Sequence, residues 1–222
     1  MPFLLTWLHG NAILNARNQS NGGETRVISC IASCIVDILI RNKVIDVQNT
    51  SLYQYGFEIF ISSVITVLIT VVFGIIFHCL AAAIVYFILF VALRSICGGY
   101  HAKTYWQCNL TFAIVTTVVL LIFQLMTLEL FSGLHICSII FSILVTVYYA
   151  PIENENKRLS VKQKKTFRIL SIAMVFILVI ASCVLKIKFA SSYSILIDTT
   201  LFAVTFSMFV TEPMKGVKKK NE

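Results

Sequence analysis

The chain has 222 residues, of which 58% are hydrophobic and 13% are charged, and its mean hydropathy is +0.88. A soluble domain carries about 25% charged residues, so this composition excludes an ordinary soluble enzyme and indicates a polytopic membrane protein. The formal net charge of +8 does not point to nucleic-acid binding, because no nucleic-acid motif accompanies it. Basic loops on the cytoplasmic side of a membrane explain the same charge.

Residues 1–58 are mixed in character. The apolar stretch 1–8 lacks a basic start and is not followed by a small-residue cleavage site, so it does not fit a signal peptide. Residues 27–40 are apolar but contain two serines and an aspartate, and they are too short and too polar for a membrane span. We predict an interfacial helix there, with a re-entrant segment as the alternative.

Six membrane spans are predicted after residue 58. Residues 59–93 carry no formal charge and are too long for one ordinary span of about 20 residues. We therefore predict two short spans, 59–77 and 80–94, joined by a tight outer turn at His78. The other spans are predicted at 110–128, 130–152, 169–185 and 191–211. The predicted fold class is all-α: one integral-membrane domain, 1–222, with about six transmembrane helices and N-terminal interfacial helices.

The basic residues predict the orientation of these spans. A cytoplasmic basic loop 153–168 and a cytoplasmic basic tail 212–222 leave only Lys186 and Lys188 of the 18 basic residues outside. Residues 1–58 and 94–109 then lie inside as well. We predict a multi-pass protein of the cell membrane with both termini and the segment 94–109 in the cytoplasm; with five spans, residues 1–58 would lie outside.

The segment 94–109, between the second and third spans, is the candidate catalytic loop. A cysteine and a histidine together can supply a thiolate nucleophile and protonate a leaving amine, and we predict these roles for Cys108 and His101. On a straight helix their seven-residue separation would place them about 10 Å apart along the axis. The pairing therefore predicts that residues 100–108 are not one straight helix.

Other residues of this segment have supporting roles. Backbone N–H groups around Gly98-Gly99, or near Cys108 itself, are candidate oxyanion donors, and the glycine pair permits a break before His101. Arg94 is a candidate for holding a substrate carboxylate. The third member of a catalytic triad is left open among four polar residues: Asn109, Gln107, Glu58 and Asp198.

Simpler interpretations exist for the same residues. His101 can be an interfacial histidine and Cys108 a packing residue, while Cys97, at the end of a span, is a rival nucleophile better explained by packing. A zinc site from Cys97, His101 and Cys108 has three ligands where structural zinc needs four, so we predict no metal and no cofactor. The seven cysteines are scattered and odd in number, which does not fit a disulfide framework.

Asp198 is an acid within an apolar run, which makes it a functional hypothesis by default. Its place near the outer end of the sixth span favours an interface position near Lys186 or Lys188 instead. The remaining polar residues at span ends are also predicted to lie at the interface: Glu58, His78, Glu129 and His135.

The array Arg94, Gly98-Gly99-Tyr100-His101-Ala102 and Cys108 resembles the accessory gene regulator B (AgrB) family of membrane cysteine peptidases. The basic stretch 153–168, the chain length and the span count are also similar, so the resemblance covers nearly the whole chain. By this likeness His101 and Cys108 match the catalytic pair, and Arg94 and Gly99 match positions that support the site.

The resemblance implies a concrete reaction. Such enzymes remove the C-terminal tail of a small quorum-sensing propeptide, AgrD-like, through an acyl-thioester, and a cysteine or serine of the peptide then closes a thiolactone or lactone. The acidic tail typical of such propeptides would suit Lys162, Lys164 and Lys165, which positive-inside charge explains equally well. The expected partners are this propeptide and the lipid bilayer; a homodimer is left open, because no stripe of small residues stands out.

A small transporter or exporter of peptides is the alternative, with 94–109 acting as a gate. It explains six spans and an intramembrane acid. It does not explain why an arginine, two glycines, a histidine and a cysteine collect in one segment. A non-catalytic scaffold or sensor is a third possibility.

Overall fold

The computed structural model describes residues 25–98, 104–126, 128–152, 160–189 and 191–218. In these ranges the regular structure is helical and no strand occurs. The α-helices are α1 (Thr25–Arg41), α2 (Thr50–Ile76), α3 (Leu80–Cys97), α4 (Tyr105–Leu125), α5 (Leu128–Tyr149), α6 (Val161–Phe189) and α7 (Tyr193–Lys218), and one 3-10 helix (Val47–Asn49) precedes α2.

Five helical segments are long and apolar enough to cross a membrane: Val47–Ile76, Leu80–Cys97, Tyr105–Leu125, Val161–Phe189 and Tyr193–Thr211. In α5 the stretch Gly133–Tyr149 is apolar but shorter. These helices confirm the predicted all-α, multi-pass membrane protein. They also confirm that residues 59–93 form two helices.

The turn between α2 and α3 is where the sequence predicted it. His78 has a positive φ of 51°, and the Cys79 N–H donates to Gly74 O at 2.9 Å. Gly74 allows the two helices to approach closely, because a Cβ at this position would lie 2.9 Å from the Cβ of Ala83. The Phe77 carbonyl at the turn accepts a hydrogen bond from the side chain of Gln124 on α4.

The chain divides into two compact units, and the division falls within α2 and within α4. Among the described residues, the first unit comprises 25–68 and 104–112. In this unit α1 buries one face, formed by Ile28, Ala32 and Val36 at four-residue spacing. The helix predicted for 27–40 is thus confirmed, and its position at the membrane interface stays a prediction, as does the single domain.

The second unit comprises the described residues 69–98 and those from Ala113 onwards. Its central element is α7, which packs against α3, α5 and α6. In the apolar window of α7 61% of the residues are buried, against 22% for α6. Hydroxyls on α7 donate within the helix, for example Thr200 to Leu196 O at 2.6 Å, which satisfies polar groups where lipid offers no partner.

Several predicted element ends are wrong, because charge marks exposure and does not end a helix. α6 begins at Val161, so the basic residues from Lys162 onwards are helical and the predicted basic loop 153–168 is too long. Ser160 and Gln163 form a capping box at this start: Ser160 N donates to Gln163 Oε1 at 3.0 Å and Gln163 N to Ser160 Oγ at 3.3 Å. α2 likewise begins at Thr50, inside the region 1–58.

The sequence also predicts Asp198 and His135 as interface residues, but the structure buries both side chains inside the helix bundle. Asp198 is 0% exposed and His135 is 7% exposed. His135 Nδ1 on α5 is hydrogen bonded to Asp198 Oδ2 on α7, and Ser182 Oγ on α6 donates to Asp198 Oδ1 at 2.7 Å. The acid is buried because three helices supply it with partners, which an interface position would not need.

Candidate active site

The segment predicted as a catalytic loop is shorter than 94–109, because helices occupy both of its ends. α3 continues to Cys97, so Arg94 lies in its last turn, and α4 begins at Tyr105, so Cys108 is helical. Thr104 precedes α4 and accepts a hydrogen bond from Gln107 N at its Oγ1, at 3.3 Å. Since Thr104 is not helical, residues 100–108 are not one straight helix, as predicted.

Two predicted site residues, Gly99 and His101, lie outside the described residues. The described residues therefore define no distance between His101 and Cys108, and the roles of both stay predictions. The structure does define the residues on either side: Arg94 to Gly98 in the second unit and Thr104 to Asn109 in the first.

Cys108 lies in the first turn of α4 and is partly exposed. Its backbone N–H donates to Thr104 O at 3.2 Å, which closes that turn. The first turn of a helix presents the positive end of the helix dipole, which favours a negative charge nearby. A thiolate at this position would have that support.

Polar contacts to α2 hold the first turns of α4 in the first unit. Asn109 is 4% exposed, and its Oδ1 accepts a hydrogen bond from Ser62 Oγ at 3.1 Å. One turn earlier on both helices, Glu58 on α2 lies close to Tyr105 on α4. The Ser62–Asn109 hydrogen bond therefore joins α2 to the part of α4 that carries Cys108.

The candidates for a third catalytic residue separate accordingly. Glu58 and Asn109 are in the same compact unit as Cys108, and Gln107 is exposed. Asp198 is in the other unit, with its two carboxylate oxygens bonded to His135 and Ser182. Glu58 and Asn109 are the candidates that the geometry favours.

At the other end of the segment, Arg94 is half-buried in the last turn of α3. Its guanidinium carbon lies 5.7 Å from the centre of the Phe90 ring. Its carbonyl accepts a hydrogen bond from Gly98 N at 3.1 Å. Because the Gly98 N–H is engaged in this way, an oxyanion donor in this segment must come from another residue.

The three lysines predicted to bind a substrate tail lie in the first two turns of α6. Lys162, Lys164 and Lys165 are all exposed. Further along α6, Arg168 turns back to the bundle and donates from Nη2 to Val147 O at 3.1 Å. These exposed cations therefore lie on a capped helix and not on a loop.

No group of three or more metal-binding side chains occurs within the part of the chain that the structure describes. One of the three zinc ligands considered from the sequence, His101, lies outside that part; the other two are Cys97 and Cys108. Cys97 is 1% exposed in α3, which agrees with a packing role.

Comparison with known proteins decides the family. The model of the family described as Accessory gene regulator B matches residues 32–210, more than half of the chain. The chain belongs to the accessory gene regulator B family. This match includes α2 to α6, most of α7 and the whole segment between Arg94 and Asn109.

Individual relatives agree with the family. An AgrB-like protein of Clostridium beijerinckii is 37% identical over 86 residues, which is 39% of this chain and 42% of that protein. The protein FsrB of Enterococcus faecalis is 21% identical over 71% of this chain and 67% of its own length. AgrB-like protein 2 of Clostridium perfringens is 22% identical over 63% of this chain and 67% of its own length. No solved structure matches the chain.

The family match and the five long apolar helices together describe a multi-pass membrane protein of the accessory gene regulator B family. The chain spans less than half of the Clostridium beijerinckii relative.

Proposed function

We propose that this chain is a membrane-embedded cysteine endopeptidase that removes the C-terminal tail of a quorum-sensing propeptide and promotes its cyclisation. The observation that carries the proposal is the position of Cys108. This thiol is partly exposed on the first turn of α4, directly after the segment with His101, in a chain of the accessory gene regulator B family.

The first half of the reaction forms a thioester. His101 accepts the proton of the Cys108 thiol, and the sulfur attacks the scissile carbonyl carbon. Collapse of the tetrahedral intermediate breaks the C–N bond, and His101 returns the proton to the leaving amine of the tail. The propeptide core is then joined to Cys108 through its new C-terminal carbonyl.

The second half closes the ring. A cysteine thiol or serine hydroxyl within the bound peptide attacks the thioester carbonyl and displaces the Cys108 sulfur, giving a thiolactone or a lactone. This step is favoured over hydrolysis when the internal nucleophile is held close and water is kept away. The residue that orients His101 stays open between Glu58 and Asn109, which share the first compact unit with Cys108.

The remaining predicted residues bind and orient the substrate. Arg94 holds a carboxylate, Gly99 supports the backbone of the segment, and the exposed Lys162, Lys164 and Lys165 attract an acidic tail. This arrangement requires the segment 94–109 and the start of α6 to face the cytoplasm, together with both termini. The distribution of basic residues supports that orientation.

A peptide transporter is less well supported. The intramembrane acid that such a mechanism would use is Asp198, and both of its carboxylate oxygens are bonded inside the bundle. A transport mechanism also does not explain why a partly exposed cysteine lies at the start of α4.

Mass spectrometry with the protein in lipid and an AgrD-like propeptide tests the proposal. Wild type should release the tail and form a thioester-linked adduct, and both products should disappear in Cys108→Ala and His101→Ala. Cys137→Ala is the matched control, since Cys137 lies exposed on α5, and it should process normally. Processing that survives Cys108→Ala, or none by the wild type, would remove the peptidase assignment.

A further inference from the structure

Three consecutive residues at the end of α3 are held from outside the helix. Ser171 Oγ on α6 shares its proton between Phe167 O of its own helix at 2.8 Å and Ile96 O at 3.3 Å, and Ile152 N donates to Cys97 O at 3.1 Å. The next residue, Gly98, lies directly against the backbone of Ile152. The contact is well shielded, because Cys97 is 1%, Ile152 7% and Ser171 0% exposed. We refer to the pairing of 97–98 with 152 as the 97–152 clamp.

Only glycine fits the second half of this clamp. Gly98 has φ 79° and ψ −164°, a conformation that side chains rarely adopt. A Cβ at position 98 would lie 2.5 Å from the carbonyl oxygen of Ile152 and 3.2 Å from its nitrogen. Both atoms are backbone, so they cannot move aside as a flexible side chain could.

The clamp lies at the start of two functionally important segments. The chain continues from Gly98 to His101 in three residues, and from Ile152 towards the lysines of α6. Three residues span at most about 11 Å even when fully extended, so fixing Gly98 restricts the positions that His101 can occupy.

We propose that Ile152 and Ser171 are positioning residues for the catalytic histidine, acting through the 97–152 clamp. Neither residue touches the substrate or the reacting atoms; they hold the end of α3 from which the histidine segment starts. The inference rests on the proposed function, and it assigns Gly98 to this clamp instead of to an oxyanion site. Catalytic geometry is sensitive to such support, since a displacement of about 1 Å can reduce a rate about 100-fold.

Gly98→Ala tests the clamp, and Gly133→Ala on α5 is the matched control because a Cβ there meets nothing within 4 Å. Single-turnover experiments measure propeptide binding and thioester formation separately, and hydrogen exchange reports on the Ile152 amide. In Gly98→Ala we expect thioester formation to slow by roughly 30- to 100-fold while the Kd for the propeptide stays within a factor of about two. The Ile152 amide should exchange faster, and Gly133→Ala should behave as wild type.

Ser171→Ala is a milder second variant in case Gly98→Ala fails to fold. It removes the hydroxyl that is shared between Phe167 O and Ile96 O, and we expect thioester formation to slow by about 2- to 5-fold with unchanged propeptide binding. Ser207→Ala is its control, since the Ser207 hydroxyl bonds within α7, to Val204 O. A structural role alone would lower the yield of folded protein and weaken binding together with the rate.

The outcomes separate the inference from the function it rests on. Normal thioester formation in folded Gly98→Ala or Ser171→Ala, or a rapidly exchanging Ile152 amide in the wild type, would overturn the clamp while leaving the peptidase intact. A wild type that forms no thioester would overturn the proposed function itself.

Discussion

Asp198 on α7 and His135 on α5 meet inside the helix bundle, through the carboxylate Oδ2 and the imidazole Nδ1. The two residues are 63 positions apart in the sequence, so the pair joins two helices that are distant along the chain. Ser182 adds a third helix by donating to the other carboxylate oxygen at 2.7 Å. Both oxygens of the Asp198 carboxylate are thus hydrogen bonded, and the three side chains together fix how α5, α6 and α7 pack. In an apolar interior, Asp198 and His135 each need the other as a partner.

Loss of one partner should therefore destabilise the bundle strongly. His135→Leu leaves the Asp198 carboxylate buried without its imidazole, and we expect a decrease of about 3 kcal/mol in the free energy of unfolding. Unfolding in detergent micelles, followed by circular dichroism, measures it. Adding Asp198→Asn removes the stranded charge and should recover part of the loss. Asp37→Asn, at an exposed position on α1, is the control, and an equal effect there would contradict the prediction.

Close packing between α2 and α3 should depend on Gly74. Gly74→Ala places a Cβ 2.9 Å from Ala83 Cβ and 3.1 Å from the Cα of Leu80, so we expect a destabilisation of about 1–3 kcal/mol. Gly56→Ala in the same helix meets nothing within 4 Å, and removing that glycine should be neutral or stabilising by up to about 1 kcal/mol. Thermal unfolding of both variants checks the contrast; a neutral Gly74→Ala would show that the helices can separate without loss.

The lysines at the start of α6 should affect substrate binding and not the chemical step. In Lys162→Gln/Lys164→Gln/Lys165→Gln we expect KM for a propeptide with an acidic tail to rise about 3- to 10-fold at low ionic strength. The difference from wild type should shrink as salt is added, because screening shortens the Debye length to about 3 Å at 1 M. Steady-state kinetics at two salt concentrations measures it, with Lys188→Gln as the control. A fall in kcat at constant KM would contradict a role in binding.

Orientation can be tested with single cysteines in a background without the native ones. We expect Lys164→Cys to react with a membrane-impermeant maleimide only after the cells are permeabilised, because the basic segment is predicted to be cytoplasmic. Lys188→Cys, at the opposite end of α6, should react in intact cells. Labelling of both positions from the same side would contradict a membrane-spanning α6, and the reversed pattern would place the proposed site outside the cytoplasm.

The sequence predicts this fold well where physical causes are local. Uncharged runs of sufficient length predict membrane helices, and the break at His78 follows from a run too long for one span. The capping pair Ser160 and Gln163 was also visible in the sequence, but the charges of Lys162 and its neighbours concealed the start of α6.

Contacts between distant residues could not be predicted in the same way. Asp198 alone reads as an exposed acid, and only the fold shows His135 and Ser182 beside it. Gly98 reads as a flexible hinge until Ile152 is found against it. At the candidate site, residue types predicted Cys108, whereas the contact of Asn109 on α4 with Ser62 on α2 needed the packing of two helices.

The position of α7 has a consequence for how the protein enters the membrane. Its span has the lowest mean hydropathy of the five membrane-crossing segments, 1.6, and the largest buried share, 61%. Much of what makes α7 tolerable in lipid is contact with helices synthesised before it, so we expect α7 to integrate poorly alone and efficiently behind α3, α5 and α6. Glycosylation mapping of truncated chains during translation would show this dependence, and autonomous insertion of isolated α7 would refute it.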